Sequence, residues 1–214
     1  MMSHVDEITN HSTCVADAGT RSCAHPSSLI HHPSPIFSWY PMYVSYCQEL
    51  KVRDALEKEG VKCFLPMVQK TARVGKKLVH SVEPAIHNLI FVYSHRDQLR
   101  DLKMFNRDCS YMQFMTIHQR SDAQSSVVIT VPDHQMEQFI RAMSIDDPDG
   151  QRTYLPYSDF LGKEGKRVRF IRGAFEGIEG TIKRINKNRH LVITLPHVGV
   201  LVISIPSISD LEIL

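Results

Sequence analysis

Residues 167–185 read RVRFIRGAFEGIEGTIKRI, with Gly173, Gly177 and Gly180 inside eight residues and arginines and lysines on either side. Glycines beside cations are what a phosphate-binding loop needs, because bare backbone N–H groups must converge on the anion at the start of a helix. The spacing here is G-x-x-x-G-x-x-G, no Gly-Lys-Ser/Thr follows, and TIKRI is a strand-forming run rather than a helical one. Neither the nucleotide-phosphate pattern nor the dinucleotide pattern fits. The glycines are expected to serve turns at positive φ between two strands, with Gly180 opening the second strand.

The other residue types capable of chemistry are scattered. The histidines between His80 and His197 stand beside no cysteine or serine in a nucleophile motif, and neither H-E-x-x-H nor a paired-carboxylate pattern occurs. No catalytic residue, cofactor or enzymatic activity is expected. His11-x-x-Cys14 and Cys23-x-His25 offer four soft ligands of the kind zinc accepts, but their spacing matches no compact knuckle and the surroundings are polar and unpatterned. No metal is expected there. Five cysteines at irregular spacings point to reduced thiols rather than a disulfide frame.

These residues must be positioned by a chain of 214 residues, 43% apolar and 22% charged, enough for one sizeable core or two small ones. No apolar run of about 18 residues and no apolar leader occur, so a cytoplasmic protein without a membrane partner is expected. The net charge of +2 is uneven: residues 161–214 hold nine Lys/Arg against five Asp/Glu, a balance of +4. That allows a contact with nucleic acid but falls well short of a strongly basic footprint.

Residues 1–36, rich in Ser, His, Thr and Pro, read as a flexible extension. Order is expected from Trp39, where WYPMYVSY reads as a strand that Pro41 confines to an edge or a bulge. ELKVRDALEKEG reads as a helix with Val52, Ala55 and Leu56 on one face and Gly60 at its C-cap. VKCFLPMV reads as a strand, RVGKKLVHSV as a hairpin turning at Gly75, and NLIFVY as a central strand. HRDQLRDLKMFNRD places Leu99, Leu102 and Phe105 at helical spacing. YMQFM and SVVITV read as strands around a polar loop at 117–125. DHQMEQFIRAM is a helix with a stripe of Met136, Phe139, Ile140 and Met143, entered near Pro132. Residues 37–143 are thus expected to form an α/β sandwich, helices on one face of a mostly antiparallel sheet. Residues 144–160 read as a linker. In 161–214, RVRFIR, TIKRI, HLVITL and VLVISI are short β-runs that suggest a small closed barrel. The fold class expected is α+β.

The glycine-rich stretch also resembles a KOW motif: a basic-apolar strand, Gly-x-Phe-x-Gly, an apolar residue, x-Gly and a second strand. Upstream, WYPMYVSYCQELKVRDALEKEGVKCFLPMV with GKK and EPAIHNLIFVY is similar to the N-terminal domain of NusG-family transcription factors. The likeness runs from about Trp39 to Leu214 and extends to the specialised paralogues, RfaH and the UpxY antiterminators of capsular polysaccharide operons, through VPDHQMEQFI and SIPSISDLEIL. It implies an SH3-like barrel at the C-terminus and a non-enzymatic factor that grips the clamp helices of RNA polymerase through a small apolar patch. Carried over by position, that patch comprises Tyr43, Ile86, Leu89 and Phe91, with Tyr43 and Leu89 expected to be exposed. Where the family has an aromatic-Pro-Gly/Asn-Tyr run, this chain has IHNL. The barrel implies a second partner, a ribosomal protein, the termination factor Rho or a dedicated factor, met by Phe175 at the tip of the Gly173–Gly177 turn. The specialised role implied is antitermination over a long operon; a general NusG and an RNA-binding KOW protein of the translation apparatus are the alternatives.

Overall fold

The computed structural model describes residues 36–74, 77–118, 126–145, 147, 150–156, 165–185, 188–205 and 207–214. The expected extension at 1–36 and the four soft ligands within it lie outside these residues, apart from Ile36. Among the described residues, no helix is long and apolar enough to cross a membrane.

The N-terminal half is built on a four-stranded antiparallel sheet. β1 (Ser38–Val44) and β5 (Leu89–Ser94) lie at its centre, flanked by β2 (Lys62–Phe64) and β6 (Met112–Phe114), in the order β2-β5-β1-β6. β1 is therefore an interior strand, although Pro41 suggested an edge. Two hydrogen-bonding details explain its tolerance. The Trp39 carbonyl accepts from the Val131 N–H, so odd-numbered positions of β1 turn their backbone groups away from β5. On that side the ladder with β6 begins only at Met42. The missing N–H of Pro41 falls in the gap between these two contacts, where no ladder bond is lost.

Both faces of β1 and β5 are apolar, so both must be covered. Tyr40, Met42, Val44, Ile90 and Val92 pack with Val52, Ala55 and Leu56 of α1 (Glu49–Lys58) and Leu99 of α2 (Arg96–Phe105). Trp39, Leu89 and Phe91 pack with Met136, Phe139, Ala142 and Met143 of α3 (Asp133–Ser144). Helices thus lie on both faces of the sheet, not on one. Most sequence signals locate their elements well. α1 ends in a Schellman motif, with Gly60 N–H on the Glu57 carbonyl and Val61 N–H on the Leu56 carbonyl. Leu99 is buried and Leu102 half-buried, but Phe105, last in α2, is solvent-exposed. The half-buried Cys63 and buried Cys109 thiols are each pushed up to about 11, chiefly by desolvation, which keeps them protonated at neutral pH.

Two small antiparallel pairs stand outside the four-stranded sheet. β3 (Met67–Val74) and β4 (Lys77–Pro84) form the expected hairpin, longer than the sequence indicated, and β7 (Thr116–His118) pairs with β8 (Ser126–Val128). The hairpin's Gly75 and most of the 117–125 loop lie outside the described residues.

The C-terminal part is a six-stranded antiparallel sheet. It comprises β9 (Arg152–Pro156), β10 (Arg167–Phe170), β11 (Glu179–Ile185), β12 (Asn188–Leu195), β13 (Gly199–Ser204) and β14 (Leu211–Ile213), in the order β14-β10-β11-β12-β13-β9. Among the described residues its ladders run in an open order with β14 and β9 at the ends. The stretch expected to be a linker contributes β9, whose Arg152–Pro156 pair with Ile203–Gly199. TYLP lacks the long alternation that marks a strand, and an apolar β13 edge was needed to recruit it.

The glycine-rich stretch turns the chain. Gly173 and Gly177 adopt φ of +90° and +80°, a region closed to most side chains. Gly180 stands in β11, not in the turn, and is needed for a different reason. A Cβ there would sit 2.5 Å from Leu191 Cδ2 and 2.8 Å from the Val192 carbonyl oxygen. Gly180→Ala is expected to destabilise the protein by about 1–3 kcal/mol through overpacking, read as a lower urea midpoint; an unchanged midpoint would contradict this close approach.

Candidate protein-docking face

The antiparallel register of β1 and β5 brings the sequence-derived patch together. Tyr43 lies opposite Leu89 and Pro41 opposite Phe91, so Tyr43, Leu89 and Phe91 share one face of the sheet, the face that α3 covers further along. Ile86, in the turn before β5, packs half-buried against the same cluster. Their exposures differ. Tyr43 is 45% exposed, Leu89 only 6% and Phe91 fully buried. Leu89 was expected at the surface; packing into the cluster around α3 buries it. The Phe91 ring meets Phe139 of α3 at 5.4 Å, and Phe139 in turn meets Phe64 edge-on at 6.0 Å. Tyr43 is thus the exposed residue of this face, beside a buried Leu89 and a Phe91 packed into an aromatic cluster.

The corner that presents Tyr43 is tightly constrained. After β1 the chain enters a single 3-10 turn, Ser45–Cys47, in which Tyr46 and Cys47 adopt φ of +61° and +52°. Asn88, immediately before β5, is also left-handed at +62°. Non-glycine residues in this region each cost about 1–2 kcal/mol, so surrounding contacts must enforce them. The contact responsible is the carboxylate of Glu49, a buried residue at the first position of α1, which accepts from the Asn88 N–H. The Asn88 carbonyl in turn accepts from the Val44 N–H at 2.9 Å. Glu49 therefore ties the start of α1 to the entry of β5, and the turn between β1 and α1 is strained to fit. Tyr46, 82% exposed, leans edge-on to Tyr111 at 6.4 Å beside this corner. Sequence reasoning missed both Glu49 and Tyr46. A glutamate opening a helix is an ordinary sight near a positive dipole end, and nothing local shows that its partner is 39 residues away.

Phe175 sits differently from expectation. It is 4% exposed and packs against Phe170 with ring centroids 6.1 Å apart. The two left-handed glycines fold the turn back on itself. Gly177 N–H bonds the Phe170 carbonyl at 2.7 Å and Ile178 N–H bonds the Phe175 carbonyl at 3.0 Å, and the ring is tucked inward. The tip of the turn is therefore not an aromatic contact in this conformation.

α3 has a second, polar face. Gln138, buried, accepts from the Glu179 N–H at 2.9 Å, and Arg141 donates to the Gly177 carbonyl at 3.4 Å. His134 Nε2 lies 3.7 Å from a Glu179 carboxylate oxygen, which Arg167 also approaches at 3.5 Å. The Arg169 guanidinium bonds the other oxygen, with Nε at 3.0 Å. Arg152 of β9 donates to the Ala142 carbonyl near the end of α3 and pairs with Asp147 at 3.3 Å. α3 thus meets the C-terminal sheet through these polar groups as well as through the apolar cluster it shares with Val168, Phe170, Leu191 and Ile193. Among the described residues, no cluster of His, Cys, Asp and Glu could hold a metal ion.

Residues 37–140 match the protein family described as NusG, transcription termination factor nusG. No curated protein matches the chain.

Two outcomes follow from this geometry. Glu49→Ala leaves the Asn88 N–H unpartnered and the left-handed corner unsupported. It is expected to cost about 1–3 kcal/mol in urea unfolding; a loss within experimental error would mean that the corner stands without it. The Arg169 hydrogen bond holds the Glu179 carboxyl below the ordinary glutamate value, against the opposing effect of desolvation and with help from the Arg169, His134 and Arg167 charges. Because the folded value is depressed, the stabilisation is present above the unfolded glutamate pKa of about 4.3 and is lost as pH falls through the folded value. The gap in urea midpoint between wild type and Glu179→Gln is therefore expected to be wide at neutral pH and to close in acid, whereas a pH-independent gap would contradict the ion-pair account.

Proposed function

We propose that this chain, whose residues 37–140 match the NusG family, is a NusG-family transcription factor that docks on RNA polymerase through the Tyr43 corner and suppresses premature termination. The family is non-enzymatic and binds RNA polymerase. The observation that carries the choice of face is the β1–β5 register. It sets Tyr43 beside Leu89 on the face that also carries Phe91, and Tyr43 is the exposed member of the four-residue patch. An aromatic ring held rigidly at the surface loses little entropy when a partner covers it. The clamp helices of the polymerase are the partner proposed, with Ile86 at the rim where the family carries rings.

The C-terminal sheet is read as a KOW domain that engages a second protein. Its contact surface excludes the Phe175 side chain while that ring stays tucked against Phe170. The specialised role, sustaining transcription across one long operon such as one for surface polysaccharide, is favoured over a general NusG role by the likeness of VPDHQMEQFI and SIPSISDLEIL to the UpxY pattern.

The docking face is tested by titrating purified RNA polymerase with the full chain. Tyr43→Ala is expected to weaken binding by about 2 kcal/mol, roughly 30-fold, as loss of a central aromatic anchor does, with near-ultraviolet circular dichroism unchanged. Wild-type affinity in Tyr43→Ala would remove this corner from the interface.

A further inference from the structure

The β3–β4 ribbon is a two-stranded sheet with no third strand among the described residues, so both of its edges are open there. Eight residues per strand give it a length of about 27 Å. Its base is fixed: Ala85 N–H bonds the Pro66 carbonyl at 2.8 Å, and Val68 packs against the core around α3. Every residue of β4 from Lys77 to His80 is exposed, and Leu78 (67%), Val79 (46%) and Val82 (61%) present aliphatic side chains to solvent. A lone two-stranded ribbon is marginal in water and gains stability from further strands. An unpaired edge is a template for such a strand unless charge, proline or a bulge blunts it.

The two edges are not equivalent. β3 carries Lys70 and Arg73 and no acid, so like charges guard that edge against a second copy of itself. β4 carries one cation, Lys77, at its tip end and one anion, Glu83, at its base end. Glu83 also meets Lys70 at 2.9 Å and accepts from the Ser81 hydroxyl at 3.0 Å. The proline of β4, Pro84, is its last residue and leaves the rest of the edge uninterrupted.

A strand that pairs with its own copy across a two-fold axis runs antiparallel to it. Directly opposed residues in such a ladder turn their backbone groups towards each other together or away together. Self-pairing of β4 therefore joins only residues of like parity, and its registers differ by the residue on the axis. Centred on Val79, Lys77 meets Ser81 and Leu78 meets His80. Centred on Ser81, Val79 meets Glu83 and Leu78 meets Pro84, which has no N–H to give. Centred on His80, Lys77 meets Glu83 and Leu78 meets Val82. In this last register opposite charges meet at both ends on one face, and aliphatic side chains meet between them on the other.

We propose that β4 pairs with β4 of a second copy, antiparallel about a two-fold axis at His80, making a four-stranded sheet and a homodimer. The two Lys77–Glu83 pairs and the two Leu78–Val82 pairs act as cross-strand neighbours. Residues 67–84 hold four Lys/Arg and one Asp/Glu, so two ribbons side by side in parallel would repel. The antiparallel arrangement lays each basic tip against the acidic base of the other ribbon. The two Lys77 positions then stand about 20 Å apart, well beyond the Debye length of about 8 Å at physiological salt.

The test is sedimentation equilibrium of the full chain across roughly a hundredfold range of protein concentration. Wild type is expected to show a monomer–dimer equilibrium. Lys77→Glu and Glu83→Lys each set like charges opposite one another at both ends of the pairing, and each is expected to weaken dimerisation at least about tenfold. An equimolar mixture of the two variants restores opposite charges at both ends and is expected to associate with wild-type affinity. If Glu83→Lys is poorly folded by near-ultraviolet circular dichroism, Leu78→Asp replaces it; a carboxylate set against Val82 is expected to leave the chain monomeric. A wild type that stays monomeric throughout, a dimer indifferent to Lys77→Glu or Leu78→Asp in the folded chain, or two folded charge variants that fail to associate when mixed would each overturn the proposal. Tyr43→Ala is expected to dimerise as wild type does, so dimerisation and polymerase docking fail independently.

Discussion

The antiparallel pairing of β1 with β5 is the constraint on which the rest of the N-terminal domain depends. Both strands are apolar on both sides, so the pair cannot stand at a surface. α1 and α2 must cover one face and α3 the other. The same register that creates this demand also sets Tyr43 beside Leu89 on one face. The candidate docking face is thus a by-product of core formation, at the end of the β1–β5 pair that carries Tyr43. Keeping an aromatic ring exposed at that end costs hydration free energy unless a partner buries it.

Holding that end still requires strain. Three left-handed non-glycine residues, Tyr46, Cys47 and Asn88, surround it, and the buried Glu49 carboxylate is the group that links the two chain segments involved. A carboxylate bonded to a backbone N–H is stronger than a neutral pair, so one short side chain can enforce a corner that local preferences oppose. Strain at a site of interaction keeps its geometry fixed before binding, which lowers the entropy lost when the partner arrives.

α3 joins this domain to the C-terminal sheet by apolar packing and by polar contacts. Its apolar stripe meets its own sheet through the Phe139, Phe91 and Phe64 rings, while Gln138, Arg141 and His134 meet the turn and strand at Gly177 and Glu179. The buried face of α3 also shares one apolar cluster with Val168, Phe170, Leu191 and Ile193 of the C-terminal sheet. One helix therefore serves both sheets by burial, and its polar groups add directed contacts to the second.

By itself the sequence determined whatever depends on near neighbours. The period of α1 and its Gly60 cap, the stripe of α3, the β3–β4 hairpin and the turning role of Gly173 and Gly177 all follow from spacing over a few residues, because backbone geometry repeats on that scale. Residue likeness also marked the positions that gather at the candidate docking face. Tertiary structure alone decided how those positions are used. Pro41 sits in a central strand because the β6 ladder starts one residue later. Leu89 is covered while Tyr43 is not, Phe175 folds inward onto Phe170, and Arg152–Pro156 join β13 as a strand instead of spanning between domains. Each of these outcomes turns on a contact between residues that only the folded chain brings together. A periodicity shows that a face is apolar but not what will cover it, and a glutamate 39 residues from its partner carries no local sign of the bond it makes.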